Sequence, residues 1–263
     1  MKDFKEDFNK LKDKLVKGEN FAFARFSDGE LHTLQNRPVE LAENFWSLDG
    51  VQRSGWYNKE EQKKFIPEEH QFNRQKLIDS LQFKKDNYYK GISCRCCVGD
   101  TDFNWQLDLH GTDNTDESLT WANLWNNGNY EKFMDEIVPL FKDKEIIMVV
   151  NEIAKLNELP FDVKKSFRVG SNCFINDYFL VDVLKDYIEK EGIENHVFLV
   201  SCGSLSNVII HQLYEANDTN TYIDIGSTLN PLMKMEGWKG SRAYLSEYWL
   251  KQGRNYLNKN CIW

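Results

Sequence analysis

The sequence has no excess of positive charge. Its 33 lysines and arginines are outnumbered by 41 aspartates and glutamates, which leaves a formal net charge of −8. A broad basic face for DNA or RNA is therefore not expected, and nucleic acid is set aside as a partner. No apolar run approaches the ~20 residues that cross a bilayer. The N-terminal stretch MKDFKEDFNKLKDKL alternates charge where a secretory leader would carry an apolar core. Prolines number only five and are scattered singly, and no repeat, low-complexity tract or linker-like segment divides the chain. The six cysteines (94, 96, 97, 173, 202 and 261) lack the spacing of a small secreted domain. Reduced thiols and a cytoplasmic location are expected.

What the chain does have is enough apolar content for a sizeable core: 41% of its 263 residues, against 28% charged. A single α/β domain over 1–263 is expected, carrying an N-terminal amphipathic helix over about 3–17 with Phe4, Phe8, Leu11 and Leu15 at helical spacing. Strands are expected at 21–25, 89–94, 145–150, 166–169, 196–201 and 221–226. Helices are expected from Asp28, across 59–82 with an interruption at Pro67, and at 117–126, 130–141, 151–157, 174–190 and 204–216. The stretch 43–58 reads as irregular and 98–116 as a long polar loop. EIIMVV (145–150) is continuously apolar, as a strand covered on both faces would be. Strands alternating with helices predict a mostly parallel sheet with helices on both faces, and ligands bind beyond the carboxyl ends of such strands.

The stretch FAFARFSDGELHTL (21–34) starts apolar and then presents Arg25, Ser27, Asp28 and Glu30. Two readings compete. Ser27-Asp28-Gly29-Glu30 fits a capping box, in which Ser27 and Glu30 satisfy the exposed donors of a helix start. That leaves Arg25 without a reason, because an arginine ending a buried strand needs an anionic partner; Asp28 is one candidate. The second reading gives Arg25 a diphosphate, Asp28 and Glu30 a divalent cation, and Gly29 a close approach of ligand to backbone. The residues alone leave the two even.

ARFSDGEL resembles the signature of the GT-D-fold glycosyltransferases, whose R-F-x-D-G-E segment carries a D-x-E motif. SNCFINDYFL (171–180), VFLVSCGSLSNVIIHQL (197–213) and TYIDIGSTLNP (221–231) are similar to later segments of that family in order and character. Gly203-Ser204 stands where the family often has Gly-Pro. The resemblance implies a Rossmann-like domain that binds a nucleoside-diphosphate sugar, with UDP the first choice, and a divalent metal, Mn²⁺ or Mg²⁺. The sugar would pass to an acceptor hydroxyl on a glycan or glycoprotein. On this reading Asp28 and Glu30 hold the metal and Arg25 and Gly29 the donor.

Further candidates come from position. Gly203 and Ser204 form a strand-to-helix turn whose free backbone donors suit phosphate oxygens, with an ordinary tight turn the bland alternative. Asp224 and Gly226 end the last strand; Asp224 would bind a ribose, serve as the base for the acceptor proton, or merely cap the next turn of chain. Asn172 is an N-cap candidate, with donor binding as the alternative, and Arg242 is either a second phosphate contact or a surface arginine. SCRCC (93–97) has no partner C-x-x-C or H-x₃-H pair at suitable distance, which favours plain thiols at a strand end. LDLHGTDNTDE (107–117) lacks the EF-hand pattern and reads as a solvated loop or a lid. Trp46, Trp56 and Tyr57 are candidates for stacking on an acceptor. A non-catalytic nucleotide-sugar module is the main alternative function. A methyltransferase ranks lower, since RFSDGE has a single glycine after the first strand. Oligomeric state is left open.

Overall fold

The computed structural model describes residues 4–42, 45–48, 51–54, 60–253, 255–258, 261 and 263. Trp56 and Tyr57 lie outside them. Helix α1 (Phe4–Lys17) lays Phe8, Leu11 and Leu15 against the core, each at most 2% exposed. Such side chains stabilise by roughly 1.5–3 kcal/mol apiece. Phe8 meets Trp125 edge-on with ring centroids 5.4 Å apart. Strand β1 (Ala22–Phe26) is buried along its whole length and turns at Ser27 into α2 (Asp28–Leu34).

A small antiparallel sheet comes next, made of β2 (Val39–Leu41), β3 (Phe45–Leu48), β4 (Val51–Ser54) and β5 (Lys63–Phe65) in the order β4-β3-β2-β5. The stretch expected to be irregular thus contains a paired hairpin, held by the partners Phe45↔Ser54 and Trp46↔Arg53. The region 59–82 is not one broken helix. Proline disfavours helical geometry in the residue before it, so Ile66-Pro67 separates strand β5 from α3 (Gln71–Gln82).

Strand β6 (Tyr88–Ile92) leads to α4 (Arg95–His110), which takes up 98–110 of the polar loop expected over 98–116 and leaves 111–116 as turns. Phe103, Gln106, Leu107 and His110 form its buried face at helical spacing; the intervening aspartates and asparagine are what made the stretch read as a loop. Gly99, at φ 79°, kinks the helix near its start. Instead of a helix over 117–126 there is an edge strand, β7 (Leu119–Trp121), paired in parallel with β6. Residues 130–143 are helical, starting with α5 (Tyr130–Lys132).

The second half runs β8 (Ile146–Asn151), β9 (Val163–Val169), α6 (Cys173–Asn176), α7 (Leu180–Glu191), β10 (Val197–Ser201), α8 (Ser204–Ala216), β11 (Thr221–Asp224), α9 (Trp238–Ser241) and α10 (Ala243–Leu250). The helix expected over 174–190 is broken between α6 and α7, and 151–157 forms turns. The main sheet has the order β7-β6-β1-β11-β10-β8-β9, with every pairing parallel and helices flanking it. β1 lies between β6 and β11, and the chain leaves it in one direction for β6 and β7 while β10 and β11 occupy the other side. The connections therefore diverge above β1, β11 and β10, and a crevice opens at their carboxyl ends.

Candidate functional site

That crevice is a cleft of about 620 Å³. β1 delivers Arg25 to its floor, 8% exposed. A guanidinium so placed must be paired. Its Nε donates to the Ala122 carbonyl at 2.6 Å, and Nη1 lies 3.9 Å from Asp224 Oδ1 at the end of neighbouring β11. The anionic partner is thus Asp224, across the sheet, rather than Asp28. Asp224 is 5% exposed and accepts the Gly226 N–H at 2.8 Å. Burial pushes its pKa up to about 7; Arg25 and that N–H pull downward, and nearby Glu30 adds to the rise. Gly226, at φ 48°, is required here. A Cβ on it would fall 2.0 Å from Arg25 Nη1, so any side chain would expel the guanidinium.

The two carboxylates of α2 part company. Glu30 is buried, and its Oε2 accepts from the Ser27 backbone N–H at 3.1 Å and the Ser27 hydroxyl at 2.7 Å, the capping-box arrangement. Its Oε1 accepts the Ser204 hydroxyl at 2.8 Å, which ties α2 to the first residue of α8. Asp28 is exposed on the cleft and accepts the Gly29 N–H at 3.0 Å. An ideal Cβ on Gly29 would meet nothing within 4 Å, so this side of the helix start is open to a ligand. Among the described residues, no three carboxylates or imidazoles converge at the cleft. Mg²⁺ and Mn²⁺ often use only one or two carboxylates and complete their shell with substrate phosphates and water. Asp28, with the one lone pair that Glu30 Oε1 has not committed, fits that mode and does not fit a cage built wholly from protein.

Gly203 and Ser204 turn β10 into α8, a thirteen-residue helix whose N-terminus opens on the cleft. Gly203 sits at φ 57°, and a Cβ there would lie 3.3 Å from Lys63 Nζ. A lysine ammonium, a helix N-terminus and Arg25 therefore border one wall, a combination suited to phosphate oxygens. Lys63 escapes a reading of the sequence because β5 looks there like part of a helix.

Asn172 is not a side-chain cap. In the left-handed conformation at φ 51°, it turns its amide to β5, where Oδ1 accepts the Lys64 N–H at 3.0 Å and Nδ2 donates to the Lys64 carbonyl at 3.1 Å. It holds the lysine-bearing strand over the cleft. Arg242 is no loose surface arginine: it lines the cleft, and its Nη2 donates to both carboxylate oxygens of Glu61, at 2.9 and 2.7 Å, a pairing that raises its pKa. Glu61 likewise carries no signal in the sequence. Trp46 also lines the cleft, beneath the Arg53 guanidinium at 4.8 Å. The segment 107–117 lines none of it.

No protein-family model matches the chain, and no curated protein matches it in sequence. Two solved structures match in fold. One is a selenomethionine-substituted domain of unknown function 1792 (DUF1792), 13% identical, with a TM-score of 0.51 over 88% of this chain and 79% of that one. The other, also 13% identical and with the same coverage, has a TM-score of 0.50, and its description states that this highly conserved domain has a distinct glycosyltransferase fold. At that identity the likeness is one of architecture: the chain adopts the glycosyltransferase fold described for DUF1792, a mostly parallel α/β sheet with its cleft at the carboxyl ends of the strands.

Proposed function

We propose that the chain is a metal-dependent glycosyltransferase. Its donor is a nucleoside-diphosphate sugar, a UDP-sugar as first choice, and its acceptor is a hydroxyl on a glycan or glycoprotein. The observation that carries this reading is the convergence of Arg25, Asp28, Asp224 and the α8 N-terminus on one cleft of about 620 Å³ in a glycosyltransferase-like fold.

Breaking the bond between sugar and diphosphate builds negative charge on the departing nucleotide. Arg25, Lys63 and the backbone donors at Gly203–Ser204 stand ready to receive it without reorganising. Asp28, with Glu30 behind it, would hold Mn²⁺ or Mg²⁺, which when bound supplies Lewis-acid stabilisation of the same charge. Asp224, with a pKa of about 7, takes the proton of the acceptor hydroxyl, and Arg25 holds its carboxylate in place. Arg242, fixed by Glu61, borders the same space and adds a positive edge for phosphate. Trp46 offers an aromatic face to a sugar ring at the mouth.

The test is a thermal-shift series with UDP, other nucleoside diphosphates and their sugars, each with and without Mn²⁺. Stabilisation by a nucleotide, increased by Mn²⁺ in the wild type and not in Asp28→Ala, is the expected outcome. A flat response to every nucleotide would overturn the reading. Binding with no release of nucleoside diphosphate from any donor, with or without added glycans, would establish the non-catalytic module instead.

A further inference from the structure

Cys94 caps the N-terminus of α4, and Cys96 and Cys97 occupy its first turn. Their sulfurs face one another: Cys94 Sγ lies 3.2 Å from Cys96 Sγ and 3.3 Å from Cys97 Sγ, and all three lie within 4.8 Å of one another. A fourth sulfur stands at the edge of this group: the Cys261 thiol returns from a distant part of the sequence to interact with Cys94 and Cys97, without coming within 4.8 Å of all three. The spacing of SCRCC contains no second ligand pair nearby; the missing ligand is supplied by tertiary structure.

We propose that Cys94, Cys96, Cys97 and Cys261 form a tetrahedral four-thiolate site for Zn²⁺, separate from the glycosyltransferase-like cleft. A disulfide joins two sulfurs and gives no reason for three to meet with a fourth beside them. A Zn–S bond of about 2.3 Å places tetrahedral sulfurs about 3.8 Å apart, so the 3.2 and 3.3 Å contacts would open by roughly half an ångström and Cys261 would close in on binding, and soft thiolate ligands select zinc over the oxygen-seeking Mg²⁺ and Mn²⁺. Each thiol gives its proton to solvent as its sulfur binds, so the filled site carries two negative charges and no electron is transferred. The surroundings suit that charge. Asn123 Nδ2 donates to Cys97 Sγ at 3.6 Å. Cys94 is buried while Cys96 and Cys97 are exposed, which leaves the ion a route in.

The site would staple the end of the chain to the sheet. Next to it, Trp263 packs edge-on against Trp121 and Phe103, with ring centroids 4.5 and 5.2 Å away, and its Nε1 donates to the Asn114 carbonyl. Two segments held this way reach the cleft. Tyr256 lines it from the terminal segment, and the Asn123–Asn127 turn lines it beside Ala122, whose carbonyl accepts from Arg25. The zinc would thus brace the cleft wall without contacting the donor.

Metal analysis of the purified full-length chain should find zinc equimolar with protein. Replacing it with Co²⁺ should give the intense visible bands and thiolate charge transfer of a tetrahedral four-sulfur site. Cys261→Ser and Cys97→Ser should lose most of the zinc, whereas Cys173→Ser and Asp28→Ala should keep it. Should the cluster variants fail to fold, alkylation of wild-type protein decides the matter: residues 94, 96, 97 and 261 should be protected until a chelator is added. A metal-free chain whose six thiols all react at once, a disulfide between two cluster cysteines, or iron or copper in place of zinc would each overturn the assignment.

Discussion

On the proposed function, Asp224 concentrates the chemistry into one side chain. Its carboxyl is buried, faces Arg25 at 3.9 Å, and titrates near pH 7 because desolvation outweighs the guanidinium. A base works only when deprotonated, so release of nucleoside diphosphate from the donor should rise with pH and reach half its plateau near pH 7. Asp224→Asn should remove that limb and lower kcat by about 10²–10⁴-fold, the usual contribution of a positioned base. A pH–rate profile of the two proteins checks this. The need for an acid here was legible in the residues: Arg25 at the end of an apolar strand demanded an anion. Which anion was not legible, because Asp28 is three positions away in the chain while Asp224 is beside Arg25 only across the β1–β11 pairing.

At the scale of elements, the start of α2 answers both readings of its sequence at once. Glu30 behaves as the capping box predicts and also grips α8 through Ser204, whereas Asp28 stays exposed on the cleft. The two carboxylates should therefore separate in denaturant titrations. Glu30→Ala leaves the Ser27 and Ser204 donors unpaired and should cost about 1–3 kcal/mol. Asp28→Ala should stay within about 0.5 kcal/mol of wild type while losing the response to Mn²⁺. Elements with one strong period were readable. Helix α8 spans the expected 204–216, and β8 falls within a residue of its expected bounds. The short strands β3, β4, β5 and β7 were not readable, since three or four residues carry too little pattern and their identity comes from the partner strand.

Across the whole molecule, one buried pair of titratable groups sets a pH signature. Lys90 is fully buried in β6, donates to the Phe83 carbonyl at 2.7 Å, and contacts His110 of α4. Burial lowers Lys90 to about 7 and His110 to about 4. An unfolded lysine keeps its proton until about pH 10.4. Between pH 7 and 10 the unfolded chain therefore binds more protons, and stability rises with pH. Between about pH 6.5 and 4 two buried groups oppose each other: the unfolded chain protonates His110 while the fold keeps it neutral, and the fold holds a proton on Asp224 up to about pH 7 that the unfolded chain has lost, so stability changes little there. Melting curves across pH should show the alkaline rise, and Lys90→Met should flatten it.

The sequence by itself determined the class of fold, the long helices, the buried strands and the presence of a charged group at the end of β1. These are local properties: periodicity, run length and the cost of an unpaired cation are all written within a dozen neighbouring residues. Only the tertiary structure decided that Arg25 pairs with Asp224, that Lys63 stands over the Gly203 turn, that Asn172 braces β5, and that Cys261 meets the cysteines of α4. Each of these joins residues far apart in the chain. Proximity of that kind comes from strand order and helix docking, for which no short stretch of sequence carries the instruction.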